Sequence, residues 1–286
     1  MGAATETGGS VAQALASRLA AHAPAARRPA ANRFIETVCS LHVLMRDLKI
    51  GEADLRSLIT FLTEVGHASD DRRQEWVLLA DVLGFSALVR ELNEIACPGV
   101  TPSTLPGPFF RPDAPLLEAG ADICLDGRGA PLDVHGRVSD AAGKAVPGAM
   151  VEVWHANGEG FYENQEPDRQ PEFNLRGKFL ADAGGRFRFR SIKPKGYRLP
   201  QDGPVGHLLN ALGYSMARPA HLGFRVTAPG FRPLITEFFD ADDPGVGDDA
   251  LFNVKPELLE KFTQRHKCGW STEIEIVLAP AGMEAR

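Results

Sequence analysis

Residues 221–239 open His221-Leu222-Gly223-Phe224-Arg225-Val226-Thr227-Ala228-Pro229-Gly230 and continue to Leu234-Ile235-Thr236-Glu237-Phe238-Phe239. The first part alternates. In an extended chain Leu222, Phe224 and Val226 share one face, and His221, Gly223 and Arg225 the other. Ala228-Pro229-Gly230 is a turn signal, after which Leu234–Phe239 resumes the strand texture. If the two strands form a hairpin centred near Gly230, Gly223 stands opposite Glu237, on the face that carries His221.

The same texture extends in both directions. Val134–Val138, Ala149–His155, Gly185–Phe189 and Thr272–Leu278 alternate with period two, and Ala141-Ala142-Gly143 and Asp182-Ala183-Gly184-Gly185 punctuate them. Many short strands with Gly- and Pro-rich turns predict a β-sandwich. Before Pro98 the period is helical: Phe34, Ile35, Val38, Leu41 and Leu44 recur at three- and four-residue steps from about Asn32. Further helices fit Glu52–Val65, Arg72–Val82 with Ser69 or Asp70 as N-cap, and Ser86–Ile95 after Gly84. Residues 1–31 are rich in Ala and Gly, with a short helix around Val11–Ala21, and read as a flexible lead-in. The predicted class is α+β, with a helical unit over 32–98 and a mainly antiparallel β-sandwich with long loops over 99–286.

Composition narrows the function. The chain has 286 residues, is 44% hydrophobic and carries a net charge of −6. It therefore shows no basic footprint for nucleic acid, and no apolar run nears the roughly 20 residues of a membrane span. Cys39, Cys97, Cys124 and Cys268 lie far apart, without the short spacings of a zinc knuckle or disulfide framework. They read as independent buried thiols of a cytoplasmic protein. The opening Met-Gly-Ala-Ala-Thr-Glu lacks the basic and apolar regions of an export signal, and Glu6 breaks the myristoylation pattern. No G-x-S-x-G elbow, Walker loop or G-x-G-x-x-G is present. What stands out is the placement of tyrosine: of three, Tyr162 and Tyr197 fall in loops leaving strands, where function is commonly carried.

Ordered blocks then bear a resemblance. They include Phe61-Leu62-Thr63, Asp70-Asp71-Arg72-Arg73-Gln74-Glu75 and Gly107-Pro108-Phe109-Phe110. Val151-Glu152-Val153-Trp154-His155-Ala156-Asn157, Gly160-Phe161-Tyr162 and Asn174-Leu175-Arg176-Gly177 follow, then Asp202-Gly203-Pro204-Val205-Gly206 and Arg218-Pro219-Ala220-His221. Over roughly residues 33–280 the chain resembles the intradiol aromatic-ring-cleaving dioxygenases, most closely the hydroxyquinol 1,2-dioxygenase branch beside the catechol 1,2-dioxygenases. The resemblance implies a non-haem Fe(III) on two tyrosinates and two histidines, acting with O₂ on a small hydroxylated aromatic. Phenolate is a hard anionic donor that stabilises ferric iron, and imidazole suits iron too. By motif, Tyr162 matches the retained tyrosinate, Tyr197 the one that dissociates, and His221 the first histidine. Arg218 matches the arginine that steadies charge developing on the substrate.

One position departs from the pattern. The family has His-x-His where this chain has His221-Leu222-Gly223, so the second ligand position is vacant. Three accounts stand open: iron on Tyr162, Tyr197 and His221 with water in the gap; Glu237 filling the gap, with His207 a weaker candidate; or a pocket that has lost its metal. Arg198 and Gly245-Val246-Gly247 also differ from the usual branch.

The resemblance further implies a substrate pocket of Leu78, Asp81, Leu105, Gly107, Phe109, Leu199, Pro200 and Leu251. Asp81 either hydrogen-bonds a third ring hydroxyl, favouring a trihydroxybenzene, or decorates a helix. His155 and His135 read as structural. The helical unit implies a homodimer, with a lipid in the tunnel between subunits, and the stripe of Phe34, Val38, Leu41 and Leu44 is available for that interface. The expected function is ring cleavage at Fe(III), weakly bound or absent; the alternative is a diverged protein that binds or converts a related aromatic without metal.

Overall fold

Alternating apolar residues build two sheets that bury their inner faces against each other. The structure is a computed structural model and describes residues 11, 14–18, 28–70, 73–94, 98–265 and 269–282. The chain divides into two compact units, 1–64 and 65–286. Residue 11 and residues 14–18 are helical. Helix α1 spans Arg28–Asp47 and α2 Glu52–His67, across the division between the units. In the first unit Phe34, Leu41 and Leu44 of the predicted stripe are exposed.

In the second unit α3 (Glu75–Val82) and α4 (Phe85–Asn93) precede the strands. Gly84 separates them in a left-handed conformation, φ 74°, which glycine adopts without steric cost. The expected cap at Ser69 or Asp70 is corrected: α3 begins at Glu75 after Gln74. Asp70 Oδ1 instead accepts the backbone N–H of Arg73 at 2.7 Å. Arg73 donates to Asp202, and Glu75 accepts the Val205 N–H, both far along the chain, and this tertiary tie competes with a further turn of helix.

The strands are β1 (Pro131–Asp140), β2 (Met150–Trp154), β3 (Arg176–Leu180), β4 (Arg186–Ile192) and β5 (Tyr197–Arg198). Helix α5 (Pro204–Ala211) leads to β6 (Ala217–Arg218), β7 (His221–Thr227) and β8 (Leu234–Asp240). Last come β9 (Leu259–Glu260), β10 (Thr263–Arg265) and β11 (Gly269–Leu278). One sheet has the order β10-β11-β1-β4, the other β3-β2-β7-β8-β9, with β5-β6 a separate ribbon. Pairing is antiparallel apart from β1 with β11 and β8 with β9. The expected α+β class with a mainly antiparallel sandwich holds.

Val134, Val138, Val151, Val153, Phe187, Phe189, Leu222, Phe224, Phe238, Ile274 and Ile276 form the core. Each large apolar side chain buried there stabilises the fold by about 1.5–3 kcal/mol. The chemistry therefore falls to the opposite face of the second sheet, which presents Trp154, His221, Gly223 and Glu237.

Short segments that packing defines were not foreseen: β3, β5, β6 and α5. His135 is exposed on β1. Cys39 and Cys124 are free thiols, whereas Cys97 and Cys268 lie outside the described residues, as do most of residues 1–27. Among the described residues no helix is long and apolar enough to cross a membrane.

Candidate active site

Four segments bring the predicted residues together. Tyr162 leaves the loop after β2 and is buried. Tyr197 lies on β5, paired through its backbone with Arg218 on β6. His221 opens β7, and Glu237 lies on β8 directly opposite Gly223, in the register that a hairpin centred near Gly230 requires.

The rings converge. Tyr162 and Tyr197 meet edge to face with centroids 5.8 Å apart, and Tyr197 and His221 lie 5.7 Å apart. Phe109 stacks on Tyr162 at 4.0 Å with an interplanar angle of 14°. The Tyr162 hydroxyl is 3.4 Å from His221 Nε2, and His221 Nδ1 is 2.8 Å from the Pro219 carbonyl. A carbonyl can only accept, so Nδ1 carries the proton and the neutral ring leaves Nε2 bare toward Tyr162.

A buried ionic lattice adjoins these rings. Arg218 holds Glu237 in a two-pronged bond, Nη1 to Oε1 at 2.9 Å and Nη2 to Oε2 at 2.8 Å. Its Nε donates to Asp249 Oδ1 at 3.0 Å. Asn253 donates from its side chain to Glu237 Oε2 at 2.8 Å and from its backbone to Asp249 Oδ2 at 2.9 Å. Burial pushes the Glu237 carboxyl up, but the charge of Arg218, with His221 and Asn253, outweighs it and holds the carboxyl at about 2. Burial lowers His221 against the pull of Glu237, and so favours the neutral ring. Burial raises Tyr162 well above the usual phenol range, reinforced by Tyr197 and Glu237. Tyr197 is raised by burial as well, although Arg218 opposes the shift. Both phenols therefore keep their protons until a cation arrives to stabilise the phenolates.

The donor set fits a hard, highly charged cation. Among the described residues no cluster of three or more His, Cys, Asp and Glu side chains forms. A metal here would draw on Tyr162, Tyr197 and His221, two phenol oxygens and a bare imidazole nitrogen suited to Fe(III). His207, considered as a ligand, is exposed on α5, away from this convergence. Position 223 is closed: a β-carbon there would lie 2.6 Å from Cε2 and 2.7 Å from Nε1 of Trp154, its partner across the β2–β7 pair.

The predicted pocket residues divide. Phe109 touches both tyrosines. The Leu105 N–H reaches Asn253 Oδ1 at 3.3 Å, and the Leu251 N–H reaches Asp249 Oδ1 at 3.4 Å. Burial raises Asp81 against the opposing hydrogen bond with Ser86 and the charge of Arg218. Leu199 is bonded through its backbone to Met216. Leu78 is half-buried on α3, Gly107 lies in the approach loop with φ 62°, and Pro200 is exposed. None of these last three is brought against the rings by a specific contact. A cavity of about 1140 Å³ beside α4 is lined by Arg90, Val100, Leu105 and Ile235 among others; of the predicted walls only Leu105 borders it.

Sequence reasoning missed Asp249, Asn253, Glu163 and the function of Arg176. The Arg176 side chain, buried, donates to Glu163 Oε2 at 2.7 Å and to the Phe109 carbonyl, so it fixes the ring that stacks on Tyr162. The Asn174-Leu175-Arg176-Gly177 block was the only sequence signal for it. His155 is structural, with Nε2 2.6 Å from Ser191 Oγ and Nδ1 2.8 Å from the Ala156 carbonyl.

Comparison with known proteins agrees with this architecture. Residues 32–99 match the family described as catechol dioxygenase N terminus, and residues 105–280 match the family described as dioxygenase. The chain is 48% identical over 222 residues to a hydroxyquinol 1,2-dioxygenase of Rhizobium sp. (strain MTP-10005), covering 78% of this chain and 75% of that one. It is 41% identical to the enzyme of the same name from Rhodococcus opacus, covering 84% of each. The solved hydroxyquinol 1,2-dioxygenase from Pseudomonas putida DLL-E4 superposes with a TM-score of 0.91 at 33% identity, covering 97% of this chain and 100% of that one.

Proposed function

The chain belongs to the intradiol ring-cleavage dioxygenases, and on that basis we propose that it opens the ring of a hydroxylated aromatic of the hydroxyquinol or catechol class with O₂ at a non-haem Fe(III). Tyr162, Tyr197 and His221 are the protein groups that would hold the metal. The observation that carries this reading is the meeting of the Tyr162 and Tyr197 rings beside His221, whose unprotonated Nε2 lies 3.4 Å from the Tyr162 hydroxyl. Bound there, ferric iron supplies Lewis acidity that draws charge from an aromatic diol and primes the ring for O₂.

The chain's own residues do the rest. Tyr197, on a two-residue ribbon strand and less enclosed than Tyr162, would be the phenolate that accepts a proton from the incoming diol. Phe109 walls the rings and excludes water. Asp81, whose carboxyl burial inclines to hold its proton, donates a hydrogen bond to a third ring hydroxyl, which selects hydroxyquinol over catechol. Leu78, Leu105, Gly107, Leu199, Pro200 and Leu251 complete the proposed pocket. The exposed stripe on α1 would be covered by the same stripe of a second copy in a cytoplasmic homodimer, with room for a lipid between subunits.

One observation favours a second reading. Arg218, expected to steady charge on the substrate, is already bonded to two carboxylates, Glu237 and Asp249. In a metal-free pocket it would serve only as a structural counter-ion, and the protein would bind an aromatic without cleaving it.

A visible spectrum with metal analysis separates the two, repeated after adding hydroxyquinol or catechol. Iron with a broad tyrosinate band that moves with substrate supports ring cleavage. A colourless protein that stays iron-free after loading supports metal-free binding.

A further inference from the structure

We propose that Glu237, through Oε1, supplies the metal-binding group that position 223 does not, completing a set with Tyr162, Tyr197 and His221; this rests on the ferric reading above. The donor has moved by one strand, from β7 to its register partner on β8.

The geometry at 223 excludes the simpler arrangement. The Trp154 indole occupies the space a side chain at Gly223 would enter, so that side of the centre is walled by a ring that offers no ligand atom, its one nitrogen being a donor. Glu237 shares the face of His221 and reaches the centre from across the strand pair. Its Oε1 stands 3.5 Å from His221 Nε2, with the Tyr162 hydroxyl 3.4 Å from the same nitrogen.

Counting electron pairs identifies the oxygen. An ionised carboxylate offers about four acceptor directions. Arg218 Nη1 takes one on Oε1, while Arg218 Nη2 and Asn253 Nδ2 take both on Oε2. The free direction is therefore on Oε1, the oxygen near His221. Nε2 of that ring carries no proton because Nδ1 donates to Pro219, and in the metal-free site it accepts from the Tyr162 hydroxyl. Two acceptors thus share one buried corner beside a phenol, and a cation that replaces the phenol proton would serve all three.

The spacing also suits shared ligation. Donors about 2.0–2.2 Å from a metal, at bond angles of about 90–120°, stand roughly 2.9–3.7 Å apart. Both distances to His221 Nε2 fall in that span. Arg218, Asp249 and Asn253 then act as positioning residues that hold the carboxylate in one orientation, as outer-shell partners do in metal sites.

The test loads the full-length protein with iron, for the unmodified chain and for Glu237→Gln and Asp249→Asn. It measures iron per chain, affinity by competition with a chelator, and the tyrosinate band. Glu237→Gln should lose about a hundredfold or more in affinity and shift the band, whereas Asp249→Asn, acting through Arg218, should lose less. Because Glu237→Gln can fail to fold, the unmodified chain labelled with ¹³C-glutamate is also compared with and without iron by infrared difference spectroscopy. A glutamate carboxylate band that moves on loading supports ligation. An iron-loaded, coloured protein with no such movement, or a folded Glu237→Gln of unchanged affinity and band, overturns it, leaving Glu237 as the partner of Arg218 or of a protonated His221. If the unmodified chain takes up no iron, the ferric reading itself fails, and this assignment with it.

Discussion

The indole of Trp154 lies against the backbone of Gly223, its register partner, so closely that a β-carbon at 223 would meet Cε2 at 2.6 Å. Both residues are buried between neighbouring strands. Gly223→Ala should therefore destabilise the fold by about 1–3 kcal/mol, the usual cost of overfilling a packed interior. Denaturant midpoints measure this. Adding Trp154→Phe should recover part of the loss, and an unchanged midpoint for Gly223→Ala would refute the close fit.

Arg176 and Glu163 form a buried ion pair that also carries the Phe109 carbonyl. Removing Arg176 leaves the buried Glu163 only its longer bond from Arg111, at 3.3 Å, and removing Glu163 leaves Arg176 the Phe109 carbonyl. Arg176→Met is expected to cost about 1–3 kcal/mol, as when a buried polar group loses a partner, and the double change with Glu163→Gln less than the sum of the single changes. Additive losses in chemical denaturation would show that the two side chains act independently.

Glu75 and Asp202 share Arg73 in unequal ways. Asp202 is exposed and bonded twice by Arg73, whereas Glu75 is buried, bonded by Arg73 Nε and by the Val205 N–H at the start of α5. Asp202→Asn should cost no more than about 1 kcal/mol, as exposed pairs do. Glu75→Ala, which leaves a buried N–H without a partner, should cost about 1–3 kcal/mol. Thermal unfolding of the two variants ranks them, and the reverse order would disprove this account.

Glu260 gives a pH signature of opposite sign to Glu237. Burial, with the charge of Glu275, pushes its carboxyl from 4.5 up to about 7. The folded protein then holds this proton more tightly than the unfolded chain, so stability is lost as pH rises from about 4.5 through about 7. Glu260→Gln should raise the melting midpoint at pH 8 and leave it little changed at pH 4. For Glu237, held at about 2 against 4.5, the sign reverses: its contribution is present above 4.5 and lost as pH falls toward 2. Glu237→Gln should flatten the acid limb of a stability profile, and an acid limb as steep as the parent's would contradict the assignment.

Alternation made the long strands legible. Val134–Val138, predicted from pattern, sits within β1, and Leu234–Phe239 within β8, because a half-buried strand must place apolar groups at every second residue. The hairpin register of Gly223 with Glu237 was legible for the same reason, since the turn fixes the sum of paired positions. Segments such as β5 and β6, two residues each, carry no period at all, and α5 needs its contacts with the loop before it. The start of α3 was misplaced because the partners of Arg73 and Glu75 lie some 130 residues downstream.

The candidate site divides along the same line. The sequence alone determined the sandwich, the tyrosines in its loops, the histidine on its polar face and the glycine two residues on, because each follows from local pattern or an ordered motif. Only the tertiary structure decided that Trp154 covers Gly223, that Arg218 binds Glu237 and Asp249 together, and that the Pro219 carbonyl leaves His221 Nε2 bare. Those relationships depend on which side chains meet across strands and loops, and on which lone pairs remain when every donor has been assigned. Sequence spacing constrains a chain along its length, whereas ligation and charge balance are set by distances through space.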